Sequence, residues 1–419
     1  MIKAIKGTKD ILPQDIPRWT YLEETVKRIF TNFNFKEIRT PVFEETALFA
    51  RSIGEETDIV SKEMYTFEDK SGTSITLKPE MTASVVRAFI EHSLAAKQSV
   101  SKLFYISPMF RQERPQAGRL RQFHQFGAEA IGSTSPVLDG ELIQSAYDIL
   151  KALGLSDLTV KINSLGVPAD REKYKEKLRD FLADKKENLS EDSRKRFDKN
   201  VLRILDSKNQ NDQEILKDAP MLIDFIDVES KNDFETVKNF LAKIDVPFVV
   251  DPKLVRGLDY YTKTTFEIIS SKVGAQSALL GGGRYDLLAE QLGGKPTPGV
   301  GFAAGMERIL LACENENSFT VSEPSLDIYI VRIDKEYDLI AAELASKLRH
   351  QNLIVDYDYL QRSVKAQMRE ANKMNAKFAL FLGGDEFKDG QIVLKDMETG
   401  SQVNLPINDI GKIITYVKN

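Results

Sequence analysis

At 419 residues the chain is longer than one ordinary hydrophobic core, so two or three domains are expected. Hydrophobic residues make up 42% and charged residues 29%, a soluble globular composition that excludes a disordered or fibrous chain. A net charge of −5 argues against a generally basic nucleic-acid coat but leaves room for a local basic patch.

The N-terminus "MIKAIKGTKDILPQD" carries charges every few residues and has no apolar core segment, so no secretory signal is expected. From Trp19 to Phe33, apolar residues recur on one face of an amphipathic helix. "FKEIRTPVFEETALF" reads as a strand confined by Pro41 to an edge or a bend. "LKPEMTASVVRAFIEH" reads as a strand end turning into a helix at Pro79. "KLFYISPMFRQE" and "FHQFGAEAIG" read as the arms of a long hairpin, joined by a loop with Arg114, Arg119 and Arg121. "LTVKINSLG" turns Leu158, Val160 and Ile162 to one side, as a strand does.

Residues 171–245 are expected to form a small helical insertion, charged and with a thin apolar stripe of Tyr174, Leu178, Phe181 and Leu182. Strand character returns at "PFVVDPKLVRGLDYYTKTTFEIIS". "ALLGGGRYDLLAEQLGG" reads as a glycine turn and a helix, and "TPGVGFAAGMERILLACE" as a strand and a helix. The polar "NENSFTVSEPS" is a linker. Beyond it, "LDIYIVRI", "LIVDYDY" and "KFALFLGG" alternate with helical segments, predicting a separate α/β module with a largely parallel sheet. The boundaries expected are 1–325 and 326–419. No apolar run of about 18 residues exists, so no membrane span is expected. The one cysteine, Cys313, cannot make an intrachain disulfide, which points to a reducing, cytoplasmic setting. His92, His124 and His350 lie far apart and have no zinc-like spacing, so no metal-ligating residues are expected.

Three arginines stand in apolar surroundings: Arg111 in "PMFRQE", Arg256 in "KLVRGLDYY" and Arg308 in "GMERILL". A guanidinium stays charged, so at a partly buried site it needs an anion. Each one could pair with a nearby Glu113 or Glu307; three together, with the basic 114–121 loop, point to a polyphosphate. "GGGRYD" lacks P-loop spacing and is either a tight turn or a place of close backbone approach. Glu80 and Glu129 are carboxylates at strand ends. Of the adjacent Tyr260 and Tyr261, strand alternation allows only one to face a given pocket. His124 could be a general base or a structural histidine among aromatics.

Taken together, "FRQERPQAGRLRQFHQFGAEAIG", "LVRGLDYYT", "GGGRYD" and "TPGVGFAAGMERI" resemble histidyl-tRNA synthetase, a class II aminoacyl-tRNA synthetase. The resemblance spans nearly the whole chain. It implies an α+β catalytic domain, an antiparallel sheet flanked by helices, with the helical insertion and a C-terminal α/β anticodon-binding domain, usually as a homodimer. It implies adenylation of histidine by ATP, with magnesium arriving on ATP, and transfer to the tRNA. Arg111 and Arg256 would be catalytic, and Arg111, Glu113, Arg119, Arg121 and Arg308 would bind ATP. Glu80, Thr82 and Gln125 would take the amino group of histidine, with Glu129, Tyr260 and Tyr261 around the rest of it and Glu129 and Tyr261 on the imidazole. Arg114 and Gln116 would meet the acceptor stem. In the C-terminal module Arg362, Lys365, Arg369 and Lys373 fall at helical spacing, suited to tRNA. Lys78 and Met81 depart from the family's "RPEGT", and Leu120 from a frequent Tyr. The competing readings are a catalytically inactive paralogue that regulates ATP phosphoribosyltransferase and a non-enzymatic tRNA-sensing module.

Overall fold

In the computed structural model the described residues are 1–418 apart from 55, 56, 58, 116, 117, 206, 257, 259, 274–277, 319, 320 and 322–324. They divide into two compact units, Met1–Val321 and Ser322–Asn419.

The first unit begins with helix α1 (Ile16–Asn32), whose Leu22, Val26, Ile29 and Phe30 are buried, the stripe the periodicity predicts. Short strands β1 (Lys36–Glu37) and β2 (Phe43–Glu45) flank Pro41, and α2 (Thr46–Ile53) follows. Strands β3 (Tyr65–Glu68) and β4 (Ser74–Leu77) precede α3 (Thr82–Glu91). The expected hairpin is β5 (Ser101–Phe110) and β6 (Gln122–Ile131), paired antiparallel from Ser101–Ile131 to Phe110–Gln122. After α4 (Pro136–Ala152) and β7 (Thr159–Ser164) come the helices α5 (Pro168–Ala183), α6 (Glu191–Lys199), α7 (Gln210–Ile215) and α8 (Val228–Lys243). Strands β8 (Phe248–Val250), β9 (Thr262–Ile269) and β10 (Ala278–Arg284), the one-turn helix α9 (Leu288–Gln291), β11 (Gly299–Gly305) and α10 (Met306–Glu316) complete the unit.

Eight strands form one sheet in the order β1-β5-β6-β11-β10-β9-β7-β8. Neighbours run antiparallel except at the two edges, where β1–β5 and β7–β8 are parallel. A smaller sheet has the order β2-β4-β3. Strand alternation gives the large sheet two different faces. Phe126, Ala128, Val300, Phe302, Phe266 and Ile268 turn into a core closed by α1, α4, α8 and α10. Gln125, Gly127 and Glu129 on β6, Gly301, Ala303 and Gly305 on β11, and Gly281 and Gly283 on β10 hold the alternate positions, in register across the strands. The helix-covered face is bulky, whereas on β10 and β11 the other face is built of glycine and alanine, which leaves room above it.

The structure corrects two readings here. "GGGR" is the interior of β10, not a turn. The glycines tolerate a strand here because what they lack is space: a Cβ on Gly281 would lie 2.4 Å from an Arg256 guanidinium nitrogen, and one on Gly282 would lie 2.1 Å from the Gly301 carbonyl oxygen. The helical stretch expected over 171–245 divides. Tyr174, Leu178, Leu182, Val201 and Ile204 join Tyr260, Tyr261 and Tyr285 in a second cluster on the open side of the sheet. Helix α8 instead buries Phe234, Val237 and Leu241 in the main core.

The second unit is a five-stranded sheet with β12 (Ile328–Arg332), β13 (Val355–Tyr357), β14 (Phe378–Leu382), β15 (Gln391–Asp396) and β16 (Gln402–Pro406), in the order β13-β12-β14-β15-β16. The first three strands are parallel, joined through α11 (Asp338–Arg349) and α12 (Val364–Lys373), as the β-α-β pattern predicts. The hairpin β15–β16 is antiparallel, so the sheet is mixed. The short helix α13 (Asp385–Lys388) precedes that hairpin and α14 (Ile410–Lys418) follows it.

Candidate active site

The glycine- and alanine-lined face of the large sheet is the floor of a cavity of about 470 Å³, within the range of small-molecule sites. Its wall includes Glu80, Thr82, Arg111, Glu113, Arg119, Gln125, Arg256, Tyr260, Tyr261 and Arg308, ten of the residues named from sequence. They come from several separate parts of the chain, from Glu80 ahead of α3 to Arg308 on α10, which is why no short segment contains the site.

Glu80 lies just ahead of α3. Its carboxylate accepts from the Thr82 and Ala83 backbone amides at 2.7 and 2.9 Å, so it closes the first turn of the helix. Burial pushes its pKa up, while those amide hydrogen bonds oppose the rise. Gln125 reaches the cavity from β6, and its buried Oε1 has no hydrogen-bond partner, leaving an acceptor for a ligand donor.

The arginines are held by short-range partners. Arg111 Nε donates to the Pro79 carbonyl at 2.8 Å, and its guanidinium lies 5.3 Å from the Phe123 ring centre. Glu113 sits between Arg111 and Arg119, at 3.7 and 3.1 Å. Arg256 pairs with Glu267 of β9 and lies 5.6 Å from the Tyr261 ring centre. Arg308 donates to the Gly118 and Ala278 carbonyls at 3.1 and 3.0 Å. Burial first, and Arg119 second, hold the Arg308 guanidinium below its usual range. A phosphate placed there would relieve the mutual repulsion of the cations.

Tyr260 and Tyr261 both face the cavity, with ring centres 4.6 Å apart. The expectation that only one would do so fails because β9 begins at Thr262, so both tyrosines precede the strand and escape its alternation. Glu129 does not line the cavity wall. It is fully buried behind that wall, accepting from the Thr82 hydroxyl at 2.7 Å and the Tyr285 hydroxyl at 2.5 Å. Burial raises its pKa to about 8, against the lowering effect of those two hydroxyls. Arg121 is likewise placed elsewhere: its backbone amide donates to the Gly7 carbonyl at 2.6 Å and its side chain packs against Gly7, so it anchors the N-terminal segment. Arg114 is exposed and borders a second cavity of about 630 Å³ with Lys62, Gln112 and Pro115. Gln116 lies outside the described residues.

His124 is held by two neighbours: Nδ1 lies 3.0 Å from Glu307, and its ring meets Trp19 edge-on with ring centres 5.0 Å apart. Lys78 is buried under the Thr40 carbonyl at 3.5 Å, and burial pushes its pKa down to about 8. It is a packing element beside the site and not a wall residue. Among the described residues no group of three or more His, Cys, Asp or Glu side chains is placed to hold a metal ion.

The sequence reading missed Glu267, Tyr285 and Lys208, and it offered Glu307 to an arginine where the structure pairs it with His124. Glu267 carried a legible signal, a single carboxylate inside the apolar "TTFEII", the same pattern that drew attention to Glu129. Lys208 carried none, being one lysine of many in the charged insertion.

Residues 7–309 match the family model "Histidyl-tRNA synthetase", and residues 327–416 match "Anticodon binding domain". The chain is 49% identical over 418 residues to a histidine–tRNA ligase of Thermoanaerobacter pseudethanolicus, with 100% of both chains covered. It is 48% identical to the Halothermothrix orenii histidine–tRNA ligase, covering 98% of each. The crystal structure of apo Staphylococcus aureus histidyl-tRNA synthetase superposes with a TM-score of 0.84 at 40% identity, covering 100% of both chains. With the expected antiparallel-rich sheet, the α/β C-terminal unit and the arginine-rich cavity all in place, the chain belongs to the histidyl-tRNA synthetase family.

Proposed function

We propose that the protein charges histidine tRNA with histidine through a histidyl-adenylate. A histidine carboxylate oxygen attacks the α-phosphorus of ATP, the α–β bridging bond breaks, and pyrophosphate leaves. A terminal hydroxyl of the tRNA then attacks the acyl carbon, and AMP leaves. ATP enters as its magnesium complex, so the metal belongs to the substrate.

The observation that carries this reading is the convergence of Arg111, Arg119, Arg256 and Arg308 on a floor whose side chains are nearly absent. Charge builds on phosphorus during adenylation, and fixed cations in a partly dry cavity stabilise it. Arg111, Glu113, Arg119 and Arg308 hold ATP, and Arg256, pre-aimed by Glu267, stands at the reacting carboxylate. Glu80, Thr82 and Gln125 accept from the ammonium of histidine. Tyr261 reads the imidazole from the wall. Glu129 reads it from behind that wall, which requires one of its two hydroxyl partners to yield. Arg114 serves the acceptor stem.

The C-terminal unit serves tRNA selection. Lys365, Arg369 and Lys373 are exposed along α12, whereas Arg362 is engaged by Asp358 and Glu370 and contributes structure. A homodimer is supported by Val42, Phe43 and Phe67, exposed apolar residues on and beside the β2-β4-β3 sheet. Residence in the cytoplasm fits a lone, buried Cys313. The regulatory and tRNA-sensing readings lose ground to a chain that keeps both the arginine set and the anticodon-domain match. Exchange of pyrophosphate into ATP should occur and should require histidine. Its absence from folded protein supplied with magnesium would refute the proposal.

A further inference from the structure

We propose that Lys208, carried by the helical insertion, binds a phosphoryl oxygen of the nucleotide in the catalytic cavity, and that a buried hub at Asp212 sets its position. The inference rests on the reading that the arginine-lined cavity takes ATP. Lys208 is exposed, lines that cavity, and is the lysine on its described wall. The insertion is therefore part of the site and not a detached elaboration. Its apolar residues Tyr174, Leu178 and Ile204 pack in the same cluster as Tyr260 and Tyr261.

The backbone that presents Lys208 is fixed on both sides. Ser207 donates from its hydroxyl to Asp212 Oδ2 at 2.5 Å, and its carbonyl accepts from Gln213 Nε2 at 2.5 Å. Asn209 caps α7, its Oδ1 accepting from the Asn211 and Asp212 amides at 2.9 and 3.3 Å. Asp212 is fully buried. It also takes the Ser190 amide at 2.7 Å and the Ser190 and Ser193 hydroxyls at 2.6 Å each. A carboxylate accepting this many donors is a rigid joint, since losing any one leaves a buried polar atom unpaired. The joint ties α6 and α7 to the residue next to Lys208.

A phosphoryl oxygen is the ligand chemistry that fits. The planar forks of the four arginines on the wall suit oriented contacts. An ammonium on a flexible stem acts as a point charge and follows a phosphate whose position changes between triphosphate and departing pyrophosphate.

The test is histidine-dependent ATP–pyrophosphate exchange by the full-length protein at varied ATP, pyrophosphate and histidine, together with tRNA charging. Lys208→Ala should raise the KM for ATP and for pyrophosphate about tenfold or more, the loss of one charge-assisted contact. The KM for histidine should stay within about twofold. Lys208→Arg should restore most of the affinity. Asp212→Asn should raise the same two constants, and adding it to Lys208→Ala should add little, because a positioning residue acts through the group it positions. If Asp212→Asn fails to fold, the two surface Lys208 variants decide alone. Unchanged ATP and pyrophosphate constants in Lys208→Ala would overturn the proposal, including the case in which only tRNA charging falls. Arg308→Ala separates the two levels. If it raises the KM for ATP and Lys208→Ala does not, only the role of Lys208 is lost; if neither does, the nucleotide reading of the cavity is lost with it.

Discussion

Replacing Glu129 by glutamine takes one proton-binding group out of the protein interior while keeping its shape. In the folded chain this carboxyl titrates near 8, raised from the usual 4.5 chiefly by burial. In the unfolded chain it titrates near its usual value. Between those two pH values the folded protein holds a proton that the unfolded chain has lost, so raising the pH favours unfolding. The cost is absent below about 4.5, grows through the window, and is complete above about 8. At about 1.4 kcal/mol per pH unit the ceiling is about 5 kcal/mol, and relaxation of the site is expected to reduce it to a few kcal/mol. Glu80 acts in the same direction, its pKa also being raised by burial, so the wild-type slope contains more than one group.

Glu129→Gln should remove only the Glu129 part. The Thr82 and Tyr285 hydroxyls, which now donate to the carboxyl, can turn to meet an amide. Urea unfolding at a series of pH values from about 5 to 9 measures the effect. The variant should equal or trail the wild type at the acid end and exceed it by about 2 kcal/mol or more at the alkaline end. Parallel curves, with a constant offset at every pH, would refute the view that this carboxyl enters the fold protonated.

Arg256→Ala should lower the histidine-dependent exchange rate roughly 10²- to 10³-fold, the usual loss for one fixed donor at developing charge, while transfer from preformed adenylate falls less. Gly281→Ala should reproduce much of that loss in a folded protein, because its Cβ would strike the Arg256 guanidinium; combining it with Arg256→Ala should add little in the same assay. Gly282→Ala, whose Cβ meets the Gly301 carbonyl, should instead lower the melting temperature. A chain ending at Val321 should keep adenylate formation and lose tRNA charging, provided its oligomeric state is unchanged on a sizing column.

Much of the fold was legible because its elements obey local rules. Helix α1 shows its stripe, β5 and β6 show strand patterning around a basic loop, and the module beyond the linker alternates strand and helix. The failures fall where tertiary contacts overrule local preference. Three successive glycines read as a turn, and only the sheet, with Arg256 above Gly281 and the Gly301 carbonyl beside Gly282, shows why a strand needs them. Tyr260 and Tyr261 escaped alternation because the strand starts one residue later. Glu129 was recognised as a buried carboxylate, but which side of the wall it occupies depends on Thr82 and Tyr285, far away in sequence. Arg121 shares the basic loop with Arg119 and yet belongs to the N-terminal segment, a distinction that loop composition cannot encode.

The same contrast separates the residues that bind from those that hold the binders. Arg111, Arg256 and Arg308 were found from sequence because a cation in an apolar run conflicts with its surroundings. Of their keepers, Glu267 on β9 carried such a signal, whereas the Pro79, Gly118 and Ala278 carbonyls carried none. Two of the three arginines are therefore aimed largely by backbone carbonyls that any residue could supply. Arg256 is the exception, fixed by a carboxylate and given its space by Gly281. That places the strictest side-chain requirement in the cavity on one arginine, one glutamate and one glycine drawn from separate parts of the chain.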